Sequence, residues 1–379
     1  QRPVDQNENK PTLYYLHSAR RNHLPTGHCN RLRWEKRNQQ SQGLWRQSPY
    51  SSYWGRWDLN HNLFHLHWRI HPHRNRCGGH SFHRGSRLRP HSITIPKPML
   101  PVAGSPIVEQ LVNEIARVVD QSIEEVAYIL GDPAFFPPYI EEELTKVAQD
   151  LGAKASIYRQ LEPLGTGHAV MCAADSLSGP VIVAYADTLI RTDLSLDPTV
   201  DGMIWVKKVE NPKSYGVVKL SEDNHITALV EKPQEFVSDL AVIGIYYFKE
   251  GETIKAELEK KMTQARAHGE EFLLNEGILA MMEKGAIFTP GTVKEWMDCG
   301  NPKITLQTNT KMLNILEEEG KKLIAEDVIT ENSQIIPPCY IGPGVVLKNA
   351  KVGPHTALGE GTHIENSVVI KSLVQKHSH

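Results

Sequence analysis

Residues Gly85 to Pro106 read GSRLRPHSITIPKPMLPVAGSP, and this stretch decides the reading of the chain. Gly85 admits backbone conformations closed to other residues, so its amide and those of Ser86 and Arg87 can face phosphate oxygens. Arg87 and Arg89 add planar, permanently charged donors. Lys97 stands between Pro96 and Pro98, whose rings restrict the backbone on both sides, and its ammonium is expected on a stiff extended segment. Pro106 then opens an amphipathic helix with Ile107, Val108, Leu111, Val112, Ile115, Val118 and Val119 on one face. One glycine, a basic cluster and a fixed lysine ahead of a helix read as a phosphate-handling loop. The plain alternative is a solvated basic turn followed by a proline-rich connector.

Downstream, from residue 100 to about 300, helical and strand patterns alternate, which favours a parallel or mixed sheet wrapped by helices. Strands are expected at Val126 to Leu130, Ala155 to Gln160, Val181 to Tyr185, Met203 to Val209, Tyr215 to Leu220 and Leu240 to Phe248. Helices are expected at 106–120, 139–151, 252–267 and 272–284. In such sheets ligands bind beyond the carboxyl ends of the strands, and the polar motifs fall there. Gln160 precedes LEPLGTGHA, where Gly165 and Gly167 allow tight backbone approach; alone this is a turn into a helix. PVIVAYADTLI is a buried strand that delivers one carboxylate, Asp187, at its end. That charge must be solvated, paired or bound to a cation, unless Asp187 merely caps the next turn. Asp298 in EWMDCG also follows an extended segment and precedes a glycine. Glu231, Lys232 and Pro233 follow the strand ITALV, and a surface ion pair is their plain reading.

The whole pattern resembles the sugar-phosphate nucleotidylyltransferases, which join a nucleoside triphosphate to a sugar 1-phosphate and release pyrophosphate. The likeness spans about residues 85 to 300, with special likeness to bacterial glucose 1-phosphate thymidylyl- and uridylyltransferases. It implies a Rossmann-like α/β nucleotidyltransferase domain with a mixed, mostly parallel sheet. It also implies site roles: Gly85, Ser86, Gln160 and Gly165 on the nucleotide, Gly216, Glu231 and Lys232 on the sugar phosphate, and Asp187 with Asp298 on Mg2+. Arg87 would hold the triphosphate and Lys97 would bridge the reacting phosphates. The substrates implied are dTTP or UTP with glucose 1-phosphate. FLLNEGI departs from the family pattern where many relatives carry an acidic residue, with Asn275 in that place. A non-catalytic sugar-nucleotide-binding or regulatory subunit of the same fold is the alternative, because Phe82, His83 and Arg84 stand where the family has small residues before its last loop glycine.

The C-terminal pattern is different. After a helix expected at 301–320, Ile329, Ile335, Ile341 and Leu347 stand six apart, and after one five-residue step Val352, Leu358, Ile364 and Ile370 resume that spacing. This hexapeptide signature predicts a short left-handed parallel β-helix. Its run is little more than two coils, and repeats need neighbours or caps, so a truncated end or cover by another subunit is expected, as is a homo-oligomer. The organisation read from the sequence is 85–310 catalytic, 311–328 connecting helix and linker, and 329–379 β-helix.

Residues 1–84 are different material. They hold 14 Lys or Arg against 4 Asp or Glu, so they carry +10 and the rest of a chain of net −2 carries −12. They also hold five of the seven tryptophans and ten of the eighteen histidines, with no persistent helical or strand period. A His cluster for metal, or a basic aromatic surface for single-stranded nucleic acid, are possible readings of HNLFHLHWRIHPHRNRCGGHSFH. The segment is expected to be disordered or non-native, an out-of-frame translation or mis-called start joined to an enzyme. The net charge offers no general electrostatic case for nucleic acid or membrane, and no apolar run approaches the roughly 18–20 residues that span a bilayer. Five scattered cysteines and the lack of a secretory pattern fit the cytoplasm.

Overall fold

The structure is a computed structural model that describes residues 66–69, 88, 95–119, 122–193, 196–197, 199–268 and 271–379. Its first described strand is β1 (Leu66–Arg69), followed by a short hairpin, β2 (Pro101–Val102) and β3 (Ser105–Pro106). The elements α1 (Ile107–Val119), β4 (Glu125–Leu130), α2 (Pro138–Asp150), β5 (Lys154–Arg159), α3 (Thr166–Cys172), β6 (Val181–Ala184), β7 (Thr188–Arg191) and β8 (Gly202–Lys208) follow. The domain is completed by β9 (Gly216–Leu220), β10 (Ile226–Glu231), β11 (Leu240–Phe248), α4 (Gly251–His268), α5 (Leu274–Glu283), β12 (Phe288–Thr292), β13 (Glu295–Asp298) and α6 (Pro302–Glu318).

Nine of these strands make one sheet, β10-β9-β11-β6-β1-β4-β5, with β8 paired to β11 and β12 paired to β8. Direct neighbours are parallel only at β4–β5 and β8–β12. Followed across the ladders, however, β4, β5, β6, β8, β9 and β12 all point one way, against β1, β10 and β11. The sheet is therefore mixed, as expected, with six of its nine strands running one way although most hydrogen-bonded neighbours are antiparallel. Strict alternation along the central strands explains why both faces are covered. Ile182 and Ala184 of β6, Met203 and Trp205 of β8, and Ile245 and Tyr247 of β11 pack with α1, α2 and α6. Their neighbours Val181, Val183, Ile204, Val206, Tyr246 and Phe248 pack with α3, α4 and α5.

One strand corrects the sequence reading of residues 1–84, where no strand period persists. Leu66–Arg69 lies between β4 and β6, antiparallel to both, with Leu66 opposite Tyr128 and Ala184. The backbone groups facing a gap in the middle of a sheet need partners, and four extended residues satisfy them without a hydrophobic period.

Beyond α6 the chain winds into three coils. Strands β14 (Ile329–Glu331), β17 (Val346–Lys348) and β20 (His363–Glu365) stack in parallel. So do β15 (Gln334–Ile335), β18 (Lys351–Val352) and β21 (Val368–Val369), and β16 (Cys339–Ile341), β19 (Thr356–Leu358) and β22 (Leu373–Val374). The first two faces advance by 17 residues per coil, not the 18 of three full hexads. The five-residue step therefore recurs, and after Ile364 it brings Val369 against the core while Ile370 is exposed. Ile329 is likewise exposed, whereas Ile341, Leu347, Val352, Leu358 and Ile364 are buried as expected.

The β-helix seats on α6 partly through His355, whose Nε2 lies 2.9 Å from Asn314 Oδ1. Burial and then Lys371 hold this imidazole below its ordinary value, with Glu317 opposing. The unfolded chain therefore binds the proton more readily, and the contribution of His355 is complete above the unfolded value of about 6.5 and lost as pH falls through the lower folded value. The urea midpoint is expected to drop on acidification below that point, and His355→Gln is expected to flatten the dependence.

Candidate active site

Lys97 sits at the start of a 3-10 turn, Lys97–Met99, closed by Met99 N–H donating to Pro96 O at 2.9 Å. This corrects the expected extended segment. Pro98 fits the tight first turn of a helix, where its missing N–H costs nothing. The side chain is only 1% exposed, and Nζ lies 2.9 Å from Asp187 Oδ2, a residue 90 positions away. A buried ammonium requires such a partner.

Asp187 leaves β6 after Tyr185 and Ala186 and leads directly into β7. β7 pairs antiparallel with β13, placing Thr188 opposite Asp298, and Cys299 N–H donates to Asp187 O at 3.1 Å. Both predicted carboxylates are thereby brought to the same end of one two-stranded ribbon. Gly300 keeps the approach to Asp298 open, since a Cβ there would lie 2.9 Å from Oδ2. Cys299, between the two, is fully enclosed. Burial pushes its thiol up to about 12; Lys97 opposes the shift, and Asp298 and Asp187 add to it. It stays a thiol at neutral pH, so it is no nucleophile.

Gln160 follows β5 and is 4% exposed; its Nε2 donates to Gly165 O at 3.0 Å and meets His168 Nδ1 at 3.1 Å. Gly165 begins α3 with φ of +104°, and a Cβ on it would lie 2.3 Å from Phe272 O. The loop is sewn to the start of α5 by Phe272 N–H to Leu164 O, Gly167 N–H to Phe272 O and Leu274 N–H to Thr166 Oγ1. Only glycine fits both that dihedral angle and that contact.

Gly216 and Glu231 are cross-strand partners on β9 and β10, and a Cβ on Gly216 would come within 2.9 Å of Glu231 Oε2. Lys232 turns away with φ of +42°, and its N–H donates to Tyr215 O. Its Nζ lies 3.9 Å from Glu231 Oε1. Asn275 Nδ2 donates to Glu231 Oε2 at 3.3 Å, and Tyr246 O–H donates to Asn275 Oδ1 at 3.5 Å. The ring of Tyr215 stands edge-on to Trp296, with centroids 5.2 Å apart, which joins this corner to the strand that carries Asp298. Gly85, Ser86 and Arg87 lie outside the described residues.

These groups lie at strand ends of a Rossmann-like sheet, as the sequence pattern implies. The sequence profile of nucleotidyl transferases matches residues 83–315. The chain belongs to the nucleotidyl transferase family. Among curated relatives of this nucleotidyl transferase, the bifunctional protein GlmU of Methanococcus aeolicus is 31% identical over 319 residues, covering 80% of this chain and 72% of its own. Mannose-1-phosphate guanylyltransferase catalytic subunit beta of Drosophila pseudoobscura pseudoobscura is 31% identical, over 74% of this chain and 69% of its own. Glucose-1-phosphate thymidylyltransferase of Streptomyces griseus is 27% identical, over 76% of this chain and 84% of its own. The names of the last two state guanylyl and thymidylyl transfer to a sugar 1-phosphate. A solved UDP-glucose pyrophosphorylase in complex with UDP-glucose shares the fold, with a TM-score of 0.50 at 21% identity over 63% of this chain and 98% of that one.

In this nucleotidyl transferase the pair Asp187 and Asp298 suits magnesium, which takes one or two carboxylates and fills its remaining positions with phosphate oxygens and water. Among the described residues no group of three or more His, Cys, Asp or Glu is placed to hold a metal alone. Sequence reading missed Tyr185 and Tyr246. Tyr185 packs on Gly244, where φ is +80° and a Cβ would lie 2.5 Å from the ring. Burial pushes both phenols above their ordinary value, so they remain O–H donors behind Glu231. The only signal was aromatic hydroxyls interrupting largely aliphatic runs, Tyr185 in PVIVAYADT and Tyr246 with Tyr247 in LAVIGIYYF.

Proposed function

We propose that this chain transfers a nucleotidyl group from a nucleoside triphosphate, dTTP or UTP, to a sugar 1-phosphate, glucose 1-phosphate in the first instance, releasing pyrophosphate. The observation that carries this reading is the meeting of Lys97, Asp187 and Asp298 at one strand end. A phosphate oxygen of the sugar 1-phosphate is already anionic at neutral pH and attacks the α-phosphorus in line; the bond to the bridging oxygen of pyrophosphate breaks. No general base is required, so catalysis rests on positioning and charge neutralisation.

Within that scheme Lys97 neutralises the reacting phosphates, and Arg87 holds the triphosphate and supports the departing pyrophosphate. Gln160 and Gly165, with Gly85 and Ser86, hold the nucleotide. Gly216, Glu231 and Lys232 hold the sugar phosphate, with Glu231 accepting from hydroxyls. Asp187 and Asp298 would hold Mg2+, which supplies positive charge to the phosphate oxygens when bound. The protein is read as a cytoplasmic homo-oligomer, and the buried thiols of Cys299 and Cys339 suit a reducing compartment.

The relatives' names span thymidylyl and guanylyl transfer, so base and sugar need direct measurement. Four nucleoside triphosphates against several sugar 1-phosphates, with Mg2+ and a pyrophosphate readout, are expected to give the highest kcat/KM for dTTP or UTP with glucose 1-phosphate. A clear preference for GTP or for another sugar would overturn that assignment.

A further inference from the structure

Helix α6 is joined to both halves of the candidate site by polar contacts, and the β-helix packs on one of them. On α6, Thr308 Oγ1 donates to Asp298 O at 2.6 Å and Thr305 Oγ1 to Cys299 O at 3.4 Å, fixing the carboxylate strand from below. One residue on, Asn309 is fully buried, and its Oδ1 accepts from Ala103 N–H at 2.8 Å. Ala103 and Gly104 form the turn of the hairpin β2–β3, both at positive φ, +48° and +102°. That hairpin follows immediately on the turn that carries Lys97, with Leu100 N–H donating to Lys97 O and Ile107 N–H to Leu100 O.

The other side of the same turn is held by the β-helix. Asn309 Nδ2 reaches His355 O at 3.5 Å, and the ring of Tyr340 on β16 covers Gly104 so closely that no Cβ would fit there. Gln110 of α1 completes the grip, donating to Val102 O and Ser105 O at 2.7 and 2.8 Å. Two features of the hairpin are otherwise expensive: a buried turn N–H that needs an acceptor, and an alanine in the left-handed region. Both coincide with contacts from α6 and the β-helix.

We propose that Asn309 and Tyr340 are positioning residues for nucleotidyl transfer, through which the docked β-helix sets the place of Lys97 relative to Asp187 and Asp298. They touch no substrate; they act through the hairpin. The inference rests on the nucleotidyl-transfer reading above. A misplacement of about 1 Å in a reacting group costs up to roughly a hundredfold in rate without loss of binding, so the signature is a fall in kcat with KM retained.

The test compares Asn309→Leu, Tyr340→Ala and Tyr340→Phe in the full chain, with steady-state kinetics and amide hydrogen exchange over residues 97–106. Asn309→Leu and Tyr340→Ala are expected to lower kcat by about tenfold to a hundredfold, leave KM for both substrates within about twofold, and speed exchange in the hairpin. Tyr340→Phe, which keeps the ring over Gly104, is expected to match the parent in both measurements. Tyr340 is only partly buried, so its variants carry the test if Asn309→Leu fails to fold. Unchanged kcat in Tyr340→Ala, a loss confined to KM, or equal losses in Ala and Phe variants would overturn the proposal. Should the parent show no turnover, the transfer reading fails separately, and unaltered hairpin exchange in Tyr340→Ala would then refute the coupling itself.

Discussion

Lys97→Ala is expected to lower turnover at saturating substrates by at least about a hundredfold, the scale for removing a charged donor aimed at transition-state charge. The ammonium is the single cation that the described residues place directly on Asp187, and its 1% exposure keeps water from replacing it. KM for the sugar 1-phosphate is expected to change far less than kcat, because binding is shared with Glu231 and Lys232. Initial-rate measurements of pyrophosphate release check this. Near-normal turnover would remove Lys97 from the mechanism.

The second large effect is expected at the carboxylates. Asp187→Asn and Asp298→Asn are each expected to reduce turnover on the order of a hundredfold or more and to raise the Mg2+ concentration needed for half-maximal rate. Their stabilities should differ. Asp187→Asn removes the carboxylate from a buried ammonium, and breaking such a pair costs up to about 3 kcal/mol here, below the fully buried range because Asp187 is partly solvated. Asp298→Asn leaves that pair intact and is expected to unfold at a urea concentration close to the parent's. A Mg2+ titration with the rate as readout, beside urea unfolding of both variants, separates the roles; equal Mg2+ dependence in parent and variants would exclude these carboxylates as the metal's ligands.

Much of the fold is legible because the sheet is buried on both faces. Runs such as Leu240–Phe248 and Val181–Ala184 are largely apolar and of strand length, as a sheet covered on both faces requires. The polar motifs are legible because each closes such a run, as Asp187 does. What the pattern does not contain is long-range pairing. Lys97 and Asp187 are found separately, but nothing local says that a chain segment returns one to the other from 90 positions away. The antiparallel β1 is hidden for a related reason: its four residues are held by the open ladder of their neighbours, not by a period of their own. In the β-helix Ile341, Leu347, Val352, Leu358 and Ile364 are buried where the pattern puts them, yet a coil of 17 shifts the inward position by one after Ile364. Gly104 reads as an ordinary turn glycine until Tyr340 is seen above it.

The full chain incubated with glucose 1-phosphate, dTTP or UTP and Mg2+ provides the most direct measurement, with inorganic pyrophosphate and the nucleoside diphosphate sugar quantified together. The predicted result is equimolar formation of both products, dependent on Mg2+ and lowered to about 1% of the parent rate or less in Lys97→Ala. Saturable binding of either substrate with no pyrophosphate released would contradict it, and would instead identify a non-catalytic sugar-nucleotide-binding subunit of the same fold.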